Sequence, residues 1–193
     1  MKIIIFDFDG TLTKRDTIRP FASFIAKKYN HNYQLFLFYA CLVLHKLKLI
    51  SDKKLKESFL QLFVKTKSSE EMEEIVNQFF EDRVQNMINN PVLDKLKNHV
   101  HSHDRVYIAS ANFDFLLKAL VKKWNISGVI STETEQKNGY FTGKILGNTC
   151  KGENKLKKIE SVLGVGVLKH AIAYADDEDK LLLDSVGQGI RVT

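Results

Sequence analysis

The chain has 193 residues, enough for one core domain with an insertion but short of two independent domains. Apolar residues at 44% and charged residues at 27%, with two prolines and no low-complexity tract, exclude disordered and fibrous classes. Cys41 and Cys150 are too few and too far apart for a disulfide framework or a cysteine metal site, while the net charge of +6 raises nucleic acid and anionic membrane as partners.

In chain order, residues 2–8 predict a buried strand, because Ile3, Ile4, Ile5 and Phe6 form an unbroken apolar run ended by Gly10. That run reaches Asp7 so early that no signal-peptide core fits, which sets a cytoplasmic expectation. A helical region without strand signals extends to about Asn90. Within it, residues 35–44 (LFLFYACLVL) are ten consecutive apolar residues. A bilayer span needs ~20, and this run stops at His45, Lys46 and Lys48, so it predicts a buried or interfacial helix. Ser51 and Asp52 offer N-caps for the helix carrying Leu55, Phe59, Leu62 and Phe63. Ser68 or Ser69 caps the next, with Met72, Ile75, Val76, Phe79 and Phe80 on one stripe. Its first turn holds Glu70, Glu71, Glu73 and Glu74, where the macrodipole favours carboxylates.

After Pro91 strands and helices alternate. A helix over about 92–100 precedes a strand over 105–109 and a helix over about 113–124. Strands over 128–134 and 140–146 are joined through Asn138-Gly139, a hairpin turn signal. A helix after Gly152, a strand over 171–175, a helix over about 179–185 and a last strand over 189–193 complete the chain. This alternation predicts an α/β fold with a parallel sheet, split by an all-helical insertion.

Asp7 and Asp9 lie two apart at the end of the first strand, so their carboxylates start on one face. In open α/β sheets ligands bind at the carboxyl ends of strands. Two like charges there repel unless a cation sits between them, and Mg²⁺, a hard ion held by one or two carboxylates plus phosphate oxygen, suits the place. A solvated pair capping a turn is the bland alternative. The buried strand running straight into the pair disfavours it.

Asp7-Phe8-Asp9-Gly10-Thr11-Leu12 resembles the first motif of the haloacid dehalogenase superfamily, whose members are mostly phosphohydrolases. Val106-Tyr107-Ile108-Ala109-Ser110 resembles its second motif, a strand ending in Ser or Thr. Cys150-Lys151-Gly152-Glu153-Asn154-Lys155 resembles the third, a lysine near a helix start. Ala173-Tyr174-Ala175-Asp176-Asp177-Glu178-Asp179 resembles the fourth, an acidic cluster after a strand, with Ala175 where glycine is usual. The helical insertion is similar to that of the branch containing phosphoserine phosphatases and some lipid-phosphate phosphatases. The resemblance implies a Rossmann-like core (1–13 and 91–193) with a helical cap (14–90).

The resemblance also implies a phosphomonoester hydrolase using Mg²⁺. Asp7 is the expected nucleophile, forming an aspartyl-phosphate, and Asp9 the acid and base; an acid at position 9 separates hydrolases and mutases from transporting ATPases. Thr11, Ser110, Ala111 and a lysine, Lys155 or Lys151, are expected to bind the phosphoryl oxygens. Asp7, Asp9, Asp176 and either Asp177 or Asp179 are the expected metal ligands. Asp16 matches the acid used in substrate selection, but residues 51–67 hold lysines and no arginine to clamp a carboxylate, which argues against phosphoserine itself.

Residues 14–67 carry twelve Lys/Arg against three Asp/Glu. No groove-reading motif accompanies them, so no nucleic-acid partner is expected. A positive cap draws phosphate esters to a cleft and is compatible with peripheral contact on anionic lipid. His99, His101 and His103 read as a helix C-terminus and its loop. A phosphomutase with the same site, and a catalytically silent basic binding protein at membrane or nucleic acid, are the competing functions; oligomeric state is open.

Overall fold

The computed structural model describes residues 1–192. Five parallel strands form one sheet in the order β3 (Gly128–Thr132), β2 (Arg105–Phe113), β1 (Ile3–Phe6), β6 (Ile172–Ala175), β7 (Gln188–Arg191). β1 is central, pairing Ile4 with Val106 on one side and with Ile172 on the other. Side-chain alternation divides the core in two. Ile4, Phe6, Val106, Ile108 and Tyr174 face Leu96 of α5 (Asn90–His101) and Leu116, Leu117 and Leu120 of α6 (Asp114–Trp124). Ile5, Ala109, Ala173 and Ala175 face Ile159 of α7 (Glu153–Leu163) and Leu182 of α8 (Lys180–Ser185). This is a doubly covered α/β sheet, whose ligand crevice lies at the carboxyl ends of the strands flanking β1.

Between β1 and α5 the chain inserts α1 (Ile18–Tyr29), α2 (Asn32–Lys46), α3 (Asp52–Phe63) and α4 (Ser69–Asp82), followed by a 3-10 turn at Val84–Met87. Ser51 and Ser68 cap α3 and α4, their hydroxyls accepting from the N–H groups of Lys54 (3.2 Å) and Glu71 (3.1 Å). The insertion joins the core through stacked aromatics. Phe59 lies 5.3 Å from Phe113 and 5.9 Å from Phe21, and Phe113 lies 5.4 Å from Phe115.

Several boundaries differ from expectation. β1 ends at Phe6, not residue 8, so Asp7 and Asp9 sit on a turn rather than on one strand face. β2 runs on to Phe113, with a register shift against β3 between Ala109 and Phe113. The hairpin through Asn138-Gly139 joins β4 (Thr134–Lys137) to β5 (Tyr140–Ile145), while β3 belongs to the parallel sheet. That hairpin packs on the insertion: Thr66 donates to the Phe141 carbonyl (2.9 Å) and Phe141 to that of Lys67 (3.0 Å). The last strand begins at Gln188; the expected end at Thr193 lies outside the described residues.

The apolar run expected as a buried or interfacial helix forms α2, covered by protein on one side only. Only Phe38 on it is buried, and the face carrying Tyr33, Phe36, Val43 and Leu44 is open to solvent. No helix among the described residues is long and apolar enough to cross a membrane.

Candidate active site

Asp7, Asp9, Asp176 and Asp179 line one cavity of about 500 Å³ between the sheet end and helices α1–α3. Asp7 leaves β1 with its N–H donating to the Tyr174 carbonyl of β6 at 2.9 Å. The turn that follows depends on Gly10. Its φ is +78°, and a Cβ there would stand 2.1 Å from Oδ2 of Asp176, so only glycine lets the turn pass beneath that carboxylate.

Lys155, in the first turn of α7, is buried and donates to Oδ1 of Asp7 at 2.9 Å and to Oδ2 of Asp179. Burial alone would lower its pKa, but Asp7 and Asp179 more than offset this and hold the ammonium above its ordinary range. Asp7 is pushed up to about 7, burial outweighing the attraction of Lys155. Asp9 is pushed up to about 7 as well, by burial and then by the nearby charge of Asp16. Three donors oppose that shift: the Thr17 N–H (2.9 Å) and hydroxyl (2.7 Å) on Oδ1, and the Asn112 amide (2.9 Å) on Oδ2.

Ser110 and Ala111 line the cavity, and the Ser110 hydroxyl accepts from the Asn112 N–H at 3.1 Å. Asp16 also lines it, with Oδ1 accepting from the Arg19 N–H in the first turn of α1. Lys151 stands at the mouth, 3.8 Å from Glu178, half-exposed; Lys155 is the lysine that reaches the carboxylates. Two expected residues are not brought in. Asp177 points outward and pairs with Arg191, because the 3-10 turn at Asp177–Asp179 rotates it away while bringing Asp179 inward. Thr11 is fully buried, its N–H donating to Phe8 (3.3 Å) and its hydroxyl unpartnered outside the cavity.

Three residues escaped the sequence reading. Thr17 and Asn112 hold Asp9; Asn112 lies two past Ser110 on the bulged end of β2, which was the available signal. Lys56 of α3 is buried, lines the cavity, and donates to the Ala111 carbonyl at 2.8 Å. Nothing in the sequence separates it from its lysine-rich neighbours. Burial lowers its pKa, against the pull of Asp52 and Asp9.

A family model described as haloacid dehalogenase-like hydrolase matches residues 4–179. This chain belongs to that family. Among solved structures, a protein with unknown function from Bordetella pertussis Tohama I superposes on this family member with a TM-score of 0.89 at 20% identity, covering 98% of this chain and 89% of the other. A substrate-bound phosphoserine phosphatase superposes with a TM-score of 0.66 at 20% identity, over 98% and 85%. These are likenesses of fold. A curated relative, phosphoserine phosphatase SerB1 of Mycobacterium tuberculosis (strain ATCC 25618 / H37Rv), is 22% identical over 133 residues, 67% of this chain. The match spans 43% of that relative's length.

The donor set fits a hard divalent cation. Among the described residues neither Asp9 nor Asp176 has a cationic side chain within ion-pair distance, and both sit in a site whose carboxylates outnumber its buried lysines. No three His, Cys, Asp or Glu side chains among the described residues form a metal cluster by themselves. One or two carboxylates completed by water and substrate oxygen is the coordination that Mg²⁺ favours.

Proposed function

We propose that this chain is a Mg²⁺-dependent phosphomonoesterase working through an aspartyl-phosphate on Asp7. The observation that carries the reading is the placement of Asp7, at the end of β1, in one cavity with Asp9, Ser110 and the buried Lys155 that grips it. An oxygen of Asp7 attacks phosphorus in line and the ester P–O bond breaks. The leaving alkoxide takes its proton from Asp9, whose pKa burial pushes up to about 7, so that a protonated fraction is present near neutral pH. Asp9, now a base, removes a proton from water, which attacks the phosphorus of the acyl phosphate; inorganic phosphate leaves and Asp7 is restored. Lys155 and the Ser110 hydroxyl hold the equatorial oxygens.

Asp7, Asp176 and Asp179 are the carboxylates best placed to hold Mg²⁺. Asp7 and Asp176 each keep one oxygen outside the hydrogen bonds described, as does Asp179, whose other oxygen Lys155 takes, whereas both oxygens of Asp9 are occupied by Thr17 and Asn112. When bound, the ion supplies positive charge that brings Asp7 to its anionic form beside an anionic substrate. The division into core (1–13 and 91–193) and cap (14–90) assigns leaving-group selection to α1–α3, which form the cavity's other wall and exclude water.

The test is turnover of a phosphate-ester panel with Mg²⁺, scored by released inorganic phosphate. Asp7→Asn is expected to lower the rate by at least ~10³-fold. Undiminished turnover by this variant overturns the mechanism, and phosphate returned to the substrate rather than released identifies a mutase.

A further inference from the structure

We infer that the solvent face of α2 docks on an anionic lipid surface and that the cavity beside it takes a phosphomonoester borne on a lipid. A helix apolar on all sides is normally buried on all sides. Here Phe38, Leu35 and Leu42 pack inward, while the opposite stripe is exposed: Tyr33 at 70%, Phe36 at 67%, Val43 at 58% and Leu44 at 39%, continued by Leu47 at 62% and Leu49 at 68%. Residues spaced three, four and seven apart on a helix share one face, so Tyr33, Phe36, Val43 and Leu44, with Leu47 at the helix end, form one patch rather than scattered exposures. A contiguous apolar patch of this kind marks an interaction surface.

Charge selects the occupant. From Thr17 to Ser51 the chain has no Asp or Glu, while Arg19 and Lys46 line the groove beside this face, and Lys48, Lys53 and Lys54 follow α2 in the chain. A second copy seated on this face by two-fold symmetry would bring its own lysines against these, a like-charge arrangement that opposes association. A bilayer with anionic headgroups accepts both features: the apolar stripe enters the acyl boundary, Tyr33 and Tyr39 sit at headgroup level, and lysines extend to lipid phosphates.

The patch is continuous with the cavity. Phe38, Leu42 and His45 of α2 line it together with Leu55, Phe59 and Ile18, opposite the carboxylates. Leu42 and His45 also line a shallow groove with Tyr39, Val43, Lys46 and Arg19 on the outer surface. An ester with an apolar leaving group thus finds apolar wall from the bilayer side to Asp7. The docking stands on the surface alone; the substrate class rests on the phosphatase reading.

The experiment is co-sedimentation of the chain with phosphatidylglycerol/phosphatidylcholine vesicles and with phosphatidylcholine vesicles, alongside sedimentation velocity without lipid. Binding to the anionic vesicles, weakened by salt, is expected. Phe36→Ser with Leu47→Ser should reduce it at least ~10-fold, and Lys46→Glu with Lys48→Glu should reduce it at unchanged circular dichroism. Absence of anionic-vesicle binding, or binding equal in both pairs and the parent, overturns docking. A dimer lost in the serine pair, without vesicle binding, reassigns the face to self-association and overturns it too. Hydrolysis of p-nitrophenyl phosphate and of vesicle-borne phosphatidic acid is measured in parallel. The serine pair should keep the first and lose most of the second. Activity on neither substrate, with docking intact, defeats the phosphatase reading alone; activity on the soluble ester only defeats the lipid substrate class.

Discussion

Burial turns Asp9 from an ordinary surface acid into a group with a proton to give near neutral pH. Its folded pKa is about 7 against an ordinary 3.8, so between those values the folded chain binds a proton that the unfolded chain has released. Stability therefore falls as pH rises through that window, and the full penalty applies above it. Asp9→Asn removes the penalty. In urea titrations at about pH 8 the variant should exceed the parent by on the order of a few kcal/mol, converging with it near pH 4, while turnover falls by ~10²–10⁴-fold. At this scale the motif acids Asp7 and Asp176 were legible because each follows directly on a buried apolar strand, and Asp9 because it stands two residues after Asp7. Asp177 and Asp179 were not separable, because a single 3-10 turn decides which of two acids two residues apart faces the cavity. Lys56 was invisible for a similar reason: its importance lies in being buried, and its neighbours Lys53 and Lys54 have the same chemistry in water.

Elements do different amounts of work in holding the inserted helices against the sheet. Phe59 of α3 touches Phe21, Phe38 and Phe63 within the insertion and Phe113 across the seam, so one side chain joins the two halves. Phe59→Ala should cost about 3–5 kcal/mol by chemical denaturation. Ser51→Ala, which removes only the hydroxyl capping the same helix, should cost about 1 kcal/mol. Similar losses for both would mean that the seam does not contribute as its packing implies. The extension of β2 beyond Ala109 is an element-scale effect too. Its register shift bends the strand so that Ser110, Ala111 and Asn112 all reach the site, whereas a straight strand would alternate them between faces. The helices were legible from their caps and stripes. The exposure of one side of α2 was not, because a ten-residue apolar run reads the same whether protein or another medium covers it.

Across the whole molecule, charge is distributed against stability and in favour of chemistry. Acids gather at the strand ends, and residues 14–67, at the start of the insertion that faces them, carry twelve Lys/Arg against three Asp/Glu. A divalent cation that binds only the folded state should relieve the crowded carboxylates. Mg²⁺ added to chelator-treated chain at about pH 8 is expected to raise the thermal midpoint, by about 2.7 kcal/mol of stability at a hundredfold excess over its dissociation constant. At about pH 5 the increment should shrink, since Asp7 and Asp9 then hold protons that compete with the ion. An equal increment at both values would place the ion elsewhere.

By itself, the order of residues determined the α/β class, the presence of a helical insertion and the first acid pair, since hydrophobic period and strand-end position are local properties that survive without coordinates. Tertiary structure alone decided that Lys155 bridges Asp7 and Asp179, that Thr17 and Asn112 clasp Asp9, and that Thr11 and Asp177 stand apart. Those outcomes depend on burial and on contacts between segments distant in the chain, and neither is written in any local pattern.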